Sequence, residues 1–287
     1  MNPTLLVALV STMLVAPPGN VDDAVLSFVE GEHRPATVEP VFDVVPVSEE
    51  GHQGTVIRAS QGEAPSMAGR WLKQVTTVAE SSAGPVGTIE VRTRAYQVVD
   101  VEQRGRDINL EVQTCSLVMS DDSSMVSTGF SDELASTLDH RSRSGRLHQR
   151  NGAWFLSIDR DWELLGMTME APEQEQLPES IDDPRVFDQD GDGNPGFTIE
   201  VQGFIDGEVY VARRGWDQFL GRINGEESIQ GRVKWHSEEK VLDASRRMLR
   251  SSPDSVANSE DSRFRMQRIN DDIGCDIVEQ RKGQLFE

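Results

Sequence analysis

The side chains best suited to chemistry lie in one short stretch, Asp188-Gln189-Asp190-Gly191-Asp192-Gly193-Asn194-Pro195-Gly196. Alternate carboxylates followed by glycine suit a loop that wraps a hard cation. Side chains two residues apart turn to the same centre, carboxylate oxygens are the donors calcium prefers, and glycine allows the sharp bend. Asp188, Asp190 and Asp192 take positions 1, 3 and 5 of such a loop, and Asn194 falls where a backbone carbonyl coordinates. Position 12, where a bidentate Glu would close the site, is Ile199, and Glu200 follows one residue later. Glu200 is therefore a candidate last ligand, with Asp182 and Asp183 as upstream alternatives. An incomplete ligand set predicts weak calcium affinity, around 10⁻⁴–10⁻³ M, and a structural role.

The loop resembles the first half of the calcium loops of EF-hand, dockerin and thrombospondin-type modules. No apolar helix flanks it on both sides, so the expected setting is a loop clipped onto the start of a β-strand. Together with Val209-Tyr210-Val211 before Arg213, and Ile229-Gln230-Gly231, the loop also resembles a class of uncharacterised exported bacterial proteins. That resemblance covers about residues 185–270 and implies no activity.

Other constellations are weaker. His33, His52, His140, His148 and His236 form no metal spacing. The stretch His140–Arg150 is basic in an acidic chain and reads either as a docking patch for an acidic partner or phosphate, or as an exposed loop balanced by neighbouring acids. Glu238-Glu239 could serve acid/base chemistry only if it faced a cleft. No nucleophile elbow, phosphate loop or dinucleotide fingerprint occurs, so catalysis is not expected.

With 28 basic and 49 acidic residues the formal charge is −21, which opposes binding to nucleic acid or anionic membrane surfaces. Leu5–Ala16 is apolar and uncharged, too short to span a bilayer but suited to a signal-peptide core, although the first four residues lack Lys and Arg. No later segment is apolar enough to cross a membrane. An exported chain, periplasmic or extracellular, is the expectation. Its two cysteines, Cys115 and Cys275, then read as one disulfide, with two buried thiols as the alternative.

These features need a scaffold, and its signals are β. Ile108, Leu110 and Val112 alternate with polar residues, and Trp154–Ile158 reads as another strand. Ser82–Pro85, Arg104-Gly105 and Asn151-Gly152 are turn signals. Short helices are expected at Ser131–Leu138 and Lys240–Leu249. A shift of 110 residues sets Pro85–Leu110 on Pro195–Leu220 with 11 identities in 26 positions, among them Thr-Ile-Glu-Val, Arg-Gly and Asp107 on Asp217. This reads as a strand, a connection and a second strand ending in an Arg-Gly turn, used twice. Gly69-Arg70-Trp71 resembles the Gly-x-Trp that opens the first strand of lipocalins.

The expected fold is mainly β, an antiparallel barrel-like or sandwich fold from two related halves with few short helices. The expected organisation is a signal peptide (1–20), a partly ordered leader (21–66) holding a strand at Thr55–Ser60, a first half (67–167), an acidic linker (168–187) and a second half (188–287). Residues 251–262 read as polar and mobile, and Phe264–Ile269 as a final strand. The expected function is a calcium-stabilised binding or structural module. Its partner would be a small apolar ligand in a cavity, or a surface or matrix partner if the interior is packed. An unfamiliar hydrolase is the third alternative.

Overall fold

Alternation of apolar and polar residues along long segments makes strands with one buried face, and antiparallel strands joined in sequence order can close on themselves to remove their edges. The computed structural model takes this form. It describes residues 63–82, 88–122, 126–131, 133–138, 140–203, 206–250, 255–282, 284 and 286. The signal peptide, nearly all of the leader, its strand at Thr55–Ser60 and most of the Ser82–Pro85 turn lie outside the described residues.

The strands are β1 (Gly69–Ser82), β2 (Thr88–Arg104), β3 (Asp107–Asp121), β4 (Val126–Phe130), β5 (Arg141–Arg150), β6 (Ala153–Leu165), β7 (Phe197–Gly203), β8 (Gly207–Asn224), β9 (Ser228–Ala244) and β10 (Ser255–Arg268). Two short helices, α1 (Leu134–Thr137) and α2 (Cys275–Arg281), accompany them. All pairings between strands are antiparallel. Eight strands form a closed ring in the order β1-β2-β3-β5-β6-β8-β9-β10, with β10 bonded back to β1. Both sides of the 168–187 segment contribute to that ring. β8 is long enough to serve two neighbours on one edge. Gly207–Val211 bonds to β7, and Arg213–Arg222 bonds to β6. β7 in turn carries β4, so this pair extends the sheet beyond the ring.

One end of the ring is filled by an apolar cluster that includes Trp71, Val99, Leu110, Ile158, Phe219 and Phe264. Trp71 is fully buried, donates its indole N–H to the Met67 carbonyl at 2.8 Å, and lies under the Arg268 guanidinium at 4.5 Å. A second cluster joins Leu134 of α1, Leu165 and the inner faces of β7 and β8. A third lies outside the ring, where α2 packs Val278 against Leu72, Tyr96 and Val98. Cys115 of β3 and Cys275 of α2 form a disulfide that fixes this helix to the ring wall. Among the described residues no helix is long and apolar enough to cross a membrane.

Several sequence expectations are corrected. Lys240–Leu249 is not a helix: it continues β9 to Ala244 and ends in a 3-10 turn at Arg247–Leu249. Pairing with β8 as far as Ala244 overrides local helix propensity. Ser255–Ser262 is strand: Ser255–Asn258 pairs with β1, and beyond the register irregularity Ser262 Oγ accepts from the Val78 N–H. The two repeat copies take different conformations. The first is the unbroken β2 ending at Gly105, whose φ of +66° makes the hairpin turn. The second is divided between β7 and β8, and Gly215 lies mid-strand opposite Ser237. The 168–187 segment, expected as an acidic linker, is tied to the body of the fold. Arg214 donates to the carbonyls of Pro172 and Glu175, Arg185 pairs with Asp183 and Glu175, and Met167 bridges to Val186.

Candidate functional site

The acidic loop lies between β6 and β7, where the chain leaves the ring and returns to extend the sheet. Its ends are clamped: Gly196 donates to the Phe187 carbonyl at 2.9 Å, and Gln189 donates to the Gly196 carbonyl at 2.7 Å. Gly196 has a φ of +87°, and a Cβ there would meet the Val211 carbonyl oxygen of β8 at 2.3 Å. Only glycine lets the loop sit this close to the strand.

Within the loop, carboxylates organise the backbone. Asp188 accepts from the N–H groups of Gly191 (2.7 Å) and Gly193 (2.9 Å). Asp192 accepts from the Asn194 N–H at 2.7 Å and from the Thr198 hydroxyl at 2.5 Å. Burial opposes ionisation of Asp192, but the bonds from Thr198 and Asn194 outweigh it and hold its carboxyl below the usual aspartate value. Asp190 is buried at 5% exposure; its Oδ2 accepts from Ser131 Oγ (2.8 Å) and the Thr198 N–H (2.9 Å). Its Oδ1 is buried and has no hydrogen-bond partner.

Asp188, Asp190 and Asp192 each offer an oxygen within 4.8 Å of the others. Asn194 supports Asp192 from the turn. Glu200 is not part of this group. It is exposed on β7, in register with Gly129 and Glu208. Asp183 is engaged by Arg185, and Asp182 is exposed. The donor set fits a hard cation: an anionic oxygen keeps a free lone pair after accepting one hydrogen bond, and the orphan Oδ1 of Asp190 lacks any other partner.

The ring interior holds a second arrangement, which sequence reading missed. Beyond the apolar end lies a cavity of about 100 Å³. Its lining includes Lys73 of β1, Arg141 and Arg143 of β5, Glu163 of β6, and Arg213 and Asp217 of β8. The basic stretch His140–Arg150 is thus not an exposed loop. It is β5, with Arg143, Gly145 and Leu147 buried in alternation. The period-two spacing of Arg141, Arg143, Gly145 and Leu147 was the available signal. Charge concealed it, since strongly charged runs normally face water.

The arginines are compensated. Arg141 pairs with Asp161 (2.5 Å) and Glu163 (2.8 Å), and Arg143 with Asp217. Arg143 also donates to the Asp159 and Asp217 carbonyls. The Glu238-Glu239 pair is taken up by Arg214 and Arg213. Burial pushes the Glu239 carboxyl up against the pull of Arg213. Lys73 is different. It is buried at 1% exposure, its ammonium lies 3.7 Å from the Phe219 ring centre, and it makes no ion pair or hydrogen bond to any described residue. Burial, reinforced by the nearby Arg143, pushes its pKa down to about 7.

No protein-family model and no curated protein matches the chain.

Proposed function

We propose that this chain is an exported binding or structural protein whose β6–β7 connection is stabilised by calcium, held by Asp188, Asp190 and Asp192 with backbone carbonyls and water completing the shell. The observation that carries the reading is the buried, unpartnered Oδ1 of Asp190 beside two further carboxylates. A buried anionic oxygen left without a partner costs free energy, and a bound cation removes that cost. Calcium accepts six to eight oxygens in flexible geometry, so three aspartates plus water suit it better than magnesium, which demands a tight octahedron. Export is in keeping with the disulfide and with the leader-like N-terminus. The Gly69-Arg70-Trp71 start of the ring's first strand, with Trp71 sealing the apolar end, supports the lipocalin-like reading. A wholly apolar guest suits the interior poorly, because it would offer no anion to the buried Lys73 ammonium.

The test is isothermal titration of the folded protein with calcium and with magnesium, wild type beside Asp190→Asn. Calcium binding in the 10⁻⁴–10⁻³ M range that the variant weakens strongly supports the reading. No calcium heat in the wild type overturns it.

A further inference from the structure

The interior lining inverts the sign of the whole molecule. Acids outnumber bases 49 to 28 along the chain, yet the cavity is lined by Lys73, Arg141, Arg143 and Arg213 against Glu163 and Asp217. Each arginine has a carboxylate partner. Lys73 has no carboxylate at ion-pair distance among the described residues: Asp217 and Glu163 lie on the same wall and favour its charge, but they are already paired with Arg143 and Arg141. A buried ammonium without an anion is costly, and the aromatic face of Phe219 offsets only part of that cost. The rest of the wall is mixed: Val75, Leu117, Phe130 and Trp235 are apolar, and Thr77, Thr93, Thr114 and His236 are polar. Gln97, in register with Lys73 across β1–β2, donates to Thr114 and leaves its own carbonyl oxygen buried without a donor.

We propose that this cavity is a binding site for a small monocarboxylate, whose anionic head pairs with Lys73 and whose short apolar body lies against Val75, Leu117 and Trp235. Size sets the class. An engineered apolar cavity of about 150 Å³ in another protein holds benzene, so about 100 Å³ admits on the order of five heavy atoms. Propionate and lactate are of that size, and a lactate hydroxyl can also donate to Gln97. Inorganic phosphate has no apolar body for the remaining wall, and its second charge would lack a partner.

The site does not depend on the calcium reading, and the two fail separately. The experiment is titration of the calcium-loaded full chain with propionate, lactate, propionamide and inorganic phosphate at constant ionic strength, followed by calorimetry and by amide chemical shifts of β1 and β2. The expected result is saturable binding of propionate and lactate, with no binding of the isosteric neutral propionamide or of phosphate. In Lys73→Met, which removes a buried charge and so keeps its fold, affinity should fall about tenfold or more. In Asp190→Asn, carboxylate binding should persist. No saturable carboxylate binding, equal binding of propionamide, preference for phosphate, or unchanged affinity in Lys73→Met overturns the proposal.

Discussion

The hydroxyl of Ser131 donates to Oδ2 of Asp190 at 2.8 Å, across 59 residues of chain. This bond ties the acidic loop to the segment between β4 and α1. The residue before Ser131 is Phe130, which lines the cavity and meets the ring of Phe197, the first residue after the loop, in a tilted contact with centroids 6.2 Å apart. Loop, sheet extension and cavity wall are therefore one packed unit.

From this follows the effect of calcium on stability. At a concentration 100 times its dissociation constant, calcium should stabilise the wild type by about 2.7 kcal/mol. Thermal unfolding in EDTA and in millimolar calcium measures it. Asp190→Asn should lose most of the increment while changing calcium-free stability little, because the amide oxygen still accepts from Ser131 and Thr198. An equal calcium shift in variant and wild type would sink the prediction.

Gly196→Ala should be costly whether or not calcium is present. The new methyl meets the Val211 carbonyl oxygen at 2.3 Å in a left-handed conformation, so the loop must lift from β8. A loss of at least 1–3 kcal/mol is expected in urea unfolding, and the calcium increment should shrink with it. Gly191→Ala tests the local cause. Its φ of +75° is strained as well, but no atom lies within 4 Å of the added methyl, so the cost should be smaller.

Lys73 sets a pH dependence whose sign is fixed by burial. Its pKa falls from 10.5 in the unfolded chain to about 7 when folded. Between those values the unfolded chain binds more protons, so this residue makes stability rise with pH from about 7 to 10.5 and imposes its full penalty below about 7. Lys73→Met should therefore be more stable than wild type at pH 6, by up to roughly 4 kcal/mol, with the difference shrinking toward pH 10. Urea midpoints of both proteins at pH 6, 8 and 10 measure it, and parallel curves would refute it.

Trp71 and Arg268 close the apolar end of the ring together. Trp71→Ala should cost about 3–5 kcal/mol, the range for emptying a buried aromatic site. Arg268→Ala should cost less but more than a surface residue, since Arg268 also donates to the Ser66 and Ala68 carbonyls at 2.9 and 2.7 Å. Chemical unfolding of each variant gives the order. Arg268→Ala matching wild type would show that the guanidinium adds nothing to the seal.

Reduction of Cys115–Cys275 opens a loop with a sequence separation of 160. The chain-entropy model gives an upper expectation of about 5 kcal/mol. Hydrogen exchange should show α2 losing protection first on reduction, while β1 and β2 keep theirs. Loss of protection throughout the ring at once would mean that the disulfide holds the whole fold rather than one helix.

The sequence alone determined what depends on local spacing. Period-two alternation at Ile108, Leu110 and Val112 made a strand, Asn151-Gly152 made a two-residue hairpin turn, and the carboxylates of Asp188, Asp190 and Asp192 converge because they alternate in a tight loop. Only the tertiary structure decided what depends on neighbours distant in sequence. It assigned the polar Ser255–Asn258 and the charged Lys240–Ala244 to strands, because partners on β1 and β8 satisfied their backbones. It separated Glu200 from the loop, because β7 pairing directs that residue to solvent. It also enclosed Arg141 and Arg143 beside Asp161, Glu163 and Asp217 from other strands, and Lys73 against the ring of Phe219. Ring closure brings those groups together, and no local pattern records it.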